Sequence, residues 1–484
     1  MKLIQKNDIE NSVNRVYLQL ENGVVSGVIP ENIRPIFEAY KASEQFESKA
    51  GTTFINQWME NAELHTAIII QAGEGNLKHT QKAGKAAVQA IKAHKFESVD
   101  IDLTNVDEFE NKYDVVRVLT EAISLSAYKF DTYKSVVKKA LATKIGFVFE
   151  ESSWLVKAFE EGSRLGEATN LAKRLVNEPA NVMLPEAIAV EAALVGQKNG
   201  FEVKILHDAE IEALNMPAYL AVAKASENRP RLIVMEYKGN PDESDEILGL
   251  VGKGLSFDTG GYSLKPATSM MAMKSDMGGA AAVIGAMAAI AGQNLKINVT
   301  AVVAACENMI SGGAYRPGDI INSRGGKTIF IKSTDAEGRL TLIDAIDYII
   351  KDLKVKRVVD VATLTGAQIV ALGGSVTGAV SNNDAFWSMM ESASEITGEK
   401  VWRMPLFEEI IETIKHKEAD LTNAVREAGM ITAGAFIGEF VGETPWIHLD
   451  IAGPSWTEKP LGLTSYGATG AGVRNLYFLA KSFE

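Results

Sequence analysis

Three charged residues stand at alternate positions in the stretch STDAEGRL, residues 333–340: Asp335, Glu337 and Arg339. Side chains two apart share a direction in an extended chain but diverge by about 200° on a helix. The three therefore converge only where the segment is extended or looped. A second stretch, VGKGLSFDTGGYSLKPATSMMAMKSDMGGAAAV at residues 251–283, carries Lys253, Asp258, Lys265, Lys274 and Asp276. Its glycines at 252, 254, 260 and 261 permit a loop that folds polar groups inward. By composition alone it reads equally as a glycine-rich surface turn with solvated charges. Together, Asp258, Asp276, Asp335 and Glu337 carry four negative charges. Such a cluster stays ionised only against cations, and two divalent ions balance it. The chemistry suggested is a dinuclear site, where two ions about 3.5–4 Å apart lower the pKa of a water and clamp a tetrahedral transition state.

Positioning these residues requires a scaffold. TIFI, at 328–331, reads as a strand and LTLIDAIDYIIKDL, at 340–353, as a helix, so the charged triplet falls on the crossover between them. RLIVMEYK, ILGLVGK, KINVTAVVAA, RVVDVA, VTGAVS and WIHLDIAG read as further strands, separated by Ala-rich helices such as GGAAAVIGAMAAIAG. Strands this apolar, alternating with helices, predict a mostly parallel central sheet flanked by helices on both faces. Ligands collect at the carboxyl ends of such strands. Upstream, RVYLQL, TAIIIQA, SVDIDL and KIGFVF alternate with helical segments, as in a small α/β domain. A long helix over 153–177 follows and stops at Pro179 and Pro185. The expected organisation is α/β in two domains: an N-terminal α/β domain at 1–150, a connecting helix within 151–177 and a catalytic domain at 178–484.

The totals agree. A chain of 484 residues, 46% hydrophobic, exceeds the usual size of one domain. The apolar strings HTAIIIQAG and EILGLVGKG fall short of the roughly 20 residues needed to cross a bilayer. The amino terminus lacks the continuous apolar region of a secretory signal, so a cytoplasmic protein without membrane partners is expected. Cys306, the single cysteine, lies in an apolar string and reads as a buried thiol. Net charge is −13, with 18 basic against 20 acidic residues in 1–150 and the remaining −11 beyond. That balance disfavours nucleic acid, although lysines 134, 138, 139 and 144 form a local basic run, read as a solvated helix face.

Other chemistries fail on their motifs. GGKT at 325–328 lacks the first glycine of a phosphate loop, where Ile321 stands, and GKGLSF lacks the third glycine of a dinucleotide fingerprint. Neither G-x-S-x-G nor H-E-x-x-H occurs, and no histidine lies between 208 and 415. His448 reads as a satisfied strand residue. Met270, Met271, Met273 and Met277 read either as helix-core fillers or as an adaptable pocket wall.

STDAEGRL and VGKGLSFDTGGYSLKP, followed in order by MKSDMGGAAAV, ENMISGGAYRPGDII, VATLTGA, ITAGAFIGEF, PWIHLDIAGPSW and GATGAGVR, closely resemble the leucyl aminopeptidases, the M17 or cytosol aminopeptidases, over residues 160–484. The resemblance implies a metal-dependent exopeptidase with two divalent ions per subunit, Zn²⁺ or Mn²⁺, with Mg²⁺ or Co²⁺ as other candidates. It implies that Asp258 and Glu337 bridge the ions, that Lys253 and Asp276 complete the tighter site, and that Asp335 completes the exchangeable one. Lys253 would bind as a neutral amine. Lys265 would stabilise the oxyanion, and Arg339 would hold a bicarbonate acting as general base toward the attacking water. Met273, Thr363, Leu364, Gly366 and Ala468 would surround the first side chain and the peptide backbone, giving a broad specificity biased to Leu or Met. The peptide's free α-amine would bind a metal, restricting cleavage to the first residue. A homohexamer is also implied.

Two departures stand out. Ser333 replaces the family's usual Asn before the triplet, bearing on the hydrogen bonds around the ligands. DLTNAVREAGMITAGAF is shorter than its usual glycine-rich counterpart. The contrasting readings are a non-catalytic nucleic-acid-binding or scaffolding role on the same fold, and a different metal-dependent hydrolase using the same carboxylates.

Overall fold

The computed structural model describes residues 2–6, 13–135, 144–149 and 152–484. Lys138 and Lys139 of the basic run lie outside the described residues; Lys134 and Lys144 are exposed. The chain forms two compact units, Met1–Asn170 with Gly462–Ser465, and Leu171–Leu461 with Tyr466–Glu484. The helix Ser153–Asn177 carries the chain from the first into the second.

In the first unit, β1 (Lys2–Lys6), β2 (Asn14–Leu20), β3 (Thr53–Glu60), β4 (Glu63–Gly73), β5 (Ser98–Asp102) and β6 (Lys144–Val148) form one sheet in the order β1-β6-β5-β2-β4-β3. All pairings are parallel except β3–β4. The period-two alternation of β2 sorts its side chains. Val16, Leu18 and Leu20 join a core with residues of the helices Leu77–His94 and Lys112–Ala127, while Tyr17 packs opposite with Phe37 and Ile69.

In the second unit, β7 (Glu202–Leu206), β8 (Arg231–Lys238), β9 (Ile247–Asp258), β10 (Asn298–Asn308), β13 (Arg357–Ala362), β14 (Thr377–Ser381), β15 (Val401–Arg403) and β17 (Trp446–Asp450) form an eight-stranded sheet. Its order is β15-β14-β17-β13-β9-β10-β8-β7. The central strands β17, β13, β9 and β10 run parallel, while β14 joins β17, and β8 joins both β10 and β7, antiparallel. TIFI belongs elsewhere. Its strand, β12 (Thr328–Phe330), pairs with β11 (Ile320–Asn322) and β16 (Leu421–Thr422) in a separate small sheet. The triplet-bearing crossover thus leaves a minor sheet, and hydrogen bonds bring it to the ends of the major one.

The helix Gly278–Gly292 lies close on the large sheet because its packing residues are small. A Cβ on Gly279 would stand 2.0 Å from the Val361 carbonyl, and one on Gly252 of β9 would stand 2.9 Å from Ala280 Cα. The stretch Met273–Gly292 has the length and apolarity of a membrane span, but 94% of that window is buried in the protein core.

Candidate metal centre

β9 ends at Asp258 and β10 at Asn308, side by side in parallel register. Gly260 N–H (2.8 Å) and Asn308 Nδ2 (2.8 Å) both donate to Asp258 Oδ1. The loop beyond then reverses through Gly260 at φ +84° and Gly261 at φ +64°, where a side chain is strained. A Cβ on Gly260 would also come within 2.8 Å of Asp335 Oδ1. Thr334 locks this loop to the 333–337 turn: its hydroxyl donates to Gly260 O (2.6 Å) and accepts from Ser263 N (2.7 Å), and its N–H donates to Ser263 Oγ (3.1 Å). Asn308 Nδ2 and the Tyr315 hydroxyl both donate to Thr334 O, at 3.0 and 2.8 Å.

All five expected ligands meet here. Oxygens of Asp258, Asp335 and Glu337 lie within 4.8 Å of one another. Lys265 Nζ bridges Asp258 (2.8 Å) and Asp335 (2.6 Å), while Lys253 Nζ bridges Asp276 (2.7 Å) and Glu337 (3.0 Å) and donates to Thr363 O (2.9 Å). Asp276 joins the group through Lys253. Gly338 makes room, since a Cβ there would lie 2.4 Å from Lys253 Cε. Lys253, Asp258, Asp276 and Glu337 are buried, whereas Asp335 faces partly outward.

The electrostatics follow from crowding. Burial, seconded by neighbouring carboxylates, raises the proton affinities of Asp258, Asp276 and Asp335. Burial also acts against the charge on Lys253 and Lys265, but the carboxylates outweigh it and hold both as ammonium groups. For Glu337, burial is outweighed by Lys253 and then Lys265, and its pKa falls. Four acids against two ammonium groups leave a net negative pocket, and Asp276 Oδ2 and Glu337 Oε2 are buried with no hydrogen-bond partner. Buried oxygens of this kind call for a counter-ion or donor. The donor set, four carboxylates and one amine, fits two divalent cations.

Arg339 is the second residue of the helix Gly338–Lys351, so the triplet is looped at Asp335 and Glu337 but helical at Arg339. Its guanidinium is buried with Nε unpartnered, and burial lowers its pKa to about 10. An unpaired buried guanidinium nitrogen fits a small planar oxyanion.

Among the expected substrate residues, Thr363 sits within the ligand cluster, its hydroxyl donating to Asp276 Oδ1 (2.8 Å). Leu364 N–H is held by Asp450 Oδ1 (3.1 Å), and Ala468 N–H by Asn177 Oδ1 (3.1 Å). Gly366 opens the helix Gly366–Leu372 beside open space. Met273 is half-buried and opens the turn carrying Asp276. The other methionines diverge: Met277 is core and Met271 is 79% exposed, so core filling describes Met277 and not Met271. Lys274 is drawn to Asn177 O (2.6 Å) and lies over the Trp456 ring. Sequence reading missed Asn308, Thr334, Asn423 and Asp450, which hold the ligands and the Leu364 loop. Their only signal was polar residues at the ends of apolar strands.

The fold and the site define an α/β protein with a carboxylate–amine cluster at the carboxyl ends of its parallel strands. The chain belongs to the cytosol aminopeptidase family: the family's catalytic-domain model matches residues 170–477 and its N-terminal-domain model residues 23–136. It is 47% identical over 462 residues to a probable cytosol aminopeptidase of Clostridium perfringens, covering 93% of each chain. A probable cytosol aminopeptidase of Alkaliphilus oremlandii is 44% identical, over 98% of this chain and 94% of that one. Among solved structures, the bottromycin maturation enzyme BotP in complex with Mn superposes with a TM-score of 0.84 at 29% identity, over 100% of this chain and 99% of that one. The protein is accordingly a metal-dependent aminopeptidase, acting on the amino-terminal end of peptides.

Proposed function

We propose that the protein releases amino-terminal residues, Leu, Met and other apolar ones preferred, from cytosolic peptides. Lys253, Asp258, Asp276, Asp335 and Glu337 would hold two divalent ions, Zn²⁺ or Mn²⁺ foremost. The observation carrying this reading is the pair of partnerless buried oxygens, on Asp276 and Glu337, inside a cluster that two lysines only half neutralise. When bound, the ions supply Lewis-acid polarisation and a water of lowered pKa.

The chain's own residues do the rest. Lys265, held cationic by Asp258, with Glu337 and Asp335, would stabilise the negative charge that develops on the scissile carbonyl oxygen. Arg339, buried with its Nε unpartnered, would hold a bicarbonate, which when bound would supply a general base. Lys253 would hold an ion as a neutral amine, its ammonium proton released to solvent as the cation takes over the role of counter-charge to Asp276 and Glu337. Met273, Thr363, Leu364, Gly366 and Ala468 frame the first residue, and the family's homohexamer is the assembly expected.

The test is hydrolysis of leucine p-nitroanilide by the full chain with added Mn²⁺ or Zn²⁺, beside its N-acetylated counterpart. Cleavage of the free-amine substrate alone is expected. Equal cleavage of both would overturn the exopeptidase reading, and no cleavage with either metal would overturn the catalytic one.

A further inference from the structure

Asn423 follows β16 directly and is fully buried. Every polar atom of its side chain is spent on the backbone of the ligand-bearing turn. Its Oδ1 accepts from Lys332 N (2.9 Å) and Ser333 N (3.3 Å), and its Nδ2 donates to Ser333 O (2.6 Å) and Ala336 O (3.4 Å). Its own N–H donates to Phe330 O (3.1 Å), continuing the β12–β16 ladder past the last paired residues. The amide thus grips the turn on both sides of Asp335, at residues 332 and 333 before it and at Ala336, which lies between Asp335 and Glu337. Ser333 adds a short local brace, its Oγ accepting from Asp335 N at 3.2 Å. A serine that reaches only its own turn cannot fix that turn against the rest of the fold; the amide from 90 residues away does.

We propose that Asn423 is a positioning residue for the metal centre, its amide setting the backbone shape that aims Asp335 and Glu337 at the ions. The inference rests on the two-metal reading above. Removing the side chain leaves two N–H groups and two carbonyls of the turn without these partners, and the turn relaxes toward shapes that satisfy them otherwise. Partners behind metal ligands of this kind are typically worth roughly 10–100-fold in metal affinity.

The control lies at the other end of the same strand pair. Asp420 is exposed and accepts from Thr328 N (2.8 Å) and Thr328 Oγ1 (2.9 Å), bracing β12 against β16 without touching the turn. Mn²⁺ binding to metal-stripped full-length protein is measured by titration calorimetry for wild type, Asn423→Ala and Asp420→Ala, with melting curves alongside. Both variants are expected to melt lower than wild type. Only Asn423→Ala is expected to weaken the lower-affinity Mn²⁺ step, by about 10–100-fold. Where the alanine variant does not fold, Asn423→Ser, whose hydroxyl reaches fewer partners, reads the same contrast. Wild-type Mn²⁺ affinity in the Asn423 variants overturns the inference, as does an equal loss in Asp420→Ala, which would assign the effect to strand pairing. Wild type that takes up no Mn²⁺ sinks the two-metal reading itself and the inference with it.

Discussion

Lys265 and Arg339 test the proposed chemistry residue by residue. Lys265→Ala removes a charge that faces Asp258 and Asp335 from the loop side, and Lys253 remains to hold the other half of the cluster. Losing one transition-state donor costs about 10²–10³ in kcat, with KM little changed, and steady-state kinetics with metal analysis of the same sample check it. An equally large fall in metal content would instead make Lys265 a structural counter-ion. His448 provides the pH signature. Its Nδ1 and the Trp446 Nε1 both meet the Asp360 carboxylate, at 2.6 and 2.7 Å. Burial opposes the imidazolium, but Asp360, then Asp450, outweigh it against Arg339, and the His448 pKa is raised. The pair therefore contributes its full stability below about pH 6.5, the unfolded value, and loses it as pH rises through the folded one. Denaturation midpoints should show wild type losing its advantage over His448→Gln across that window, by about 1.4 kcal/mol for each tenfold difference between the two proton affinities. A gap that stays flat with pH contradicts the assignment.

The same residues show what a sequence makes legible. Asp335, Glu337 and Arg339 were visible because their alternation is local, and Asp258 and Asp276 because glycines announce a loop. Lys253 as a ligand came only from resemblance, since nothing in a lysine's surroundings along the chain shows the carboxylates of Asp276, Glu337 and Asp258 gathered around it. Asn308 and Asn423 were invisible because their partners lie 50 and 90 residues away. His448 was read as satisfied, yet its Nε2 is buried without a partner.

Among the elements, six of the eight strands of the large sheet were legible from apolar, β-branched runs, whereas β7, which alternates with charged residues, the three-residue β15 and the membership of TIFI were not. A three-residue strand carries no pattern that separates a minor sheet from a major one. The helix Gly338–Lys351 is the element that joins them, and Asp344 in its middle is the joint. Its carboxylate accepts from Ala218 N (2.8 Å), Tyr219 N (3.0 Å) and Arg324 N (2.8 Å), capping the helix Pro217–Ala223 and holding the turn between β11 and β12. Burial raises its pKa to about 7, against those hydrogen bonds. Asp344→Ala leaves two buried N–H groups and one half-buried one without an acceptor, so a loss of roughly 3–5 kcal/mol is expected. Chemical denaturation measures it. Turnover per folded molecule should hold, because Asp344 touches none of the proposed ligands; a variant as stable as wild type would remove this joint from the account.

At the scale of the molecule, a net charge of −13 bears on the non-catalytic alternative. Nucleic-acid affinity comes mainly from cations that displace condensed counter-ions, and this chain offers an excess of acids in both halves. No saturable binding of a 20-base-pair duplex is expected near physiological salt, as fluorescence anisotropy would show; tight binding that weakens steeply with salt would restore that reading. Metal binding makes the complementary case for the enzyme. The proposed ligands come from the end of β9, the turn before the helix Gly278–Gly292, and the crossover before the helix Gly338–Lys351, segments that meet only in the folded chain. A cation bound there stabilises the fold by mass action, about 2.7 kcal/mol at one hundred times its Kd. Adding Mn²⁺ to metal-stripped protein should therefore raise the melting temperature by several degrees, and Asp276→Asn together with Glu337→Gln should abolish most of that rise while also lowering the apo melt. The sign of that last term follows from the ion pairs: with the cation withheld, Asp276 and Glu337 hold the buried Lys253 ammonium at 2.7 and 3.0 Å, and their amides leave that charge uncompensated. A metal-induced rise that survives the double variant would place the ions elsewhere.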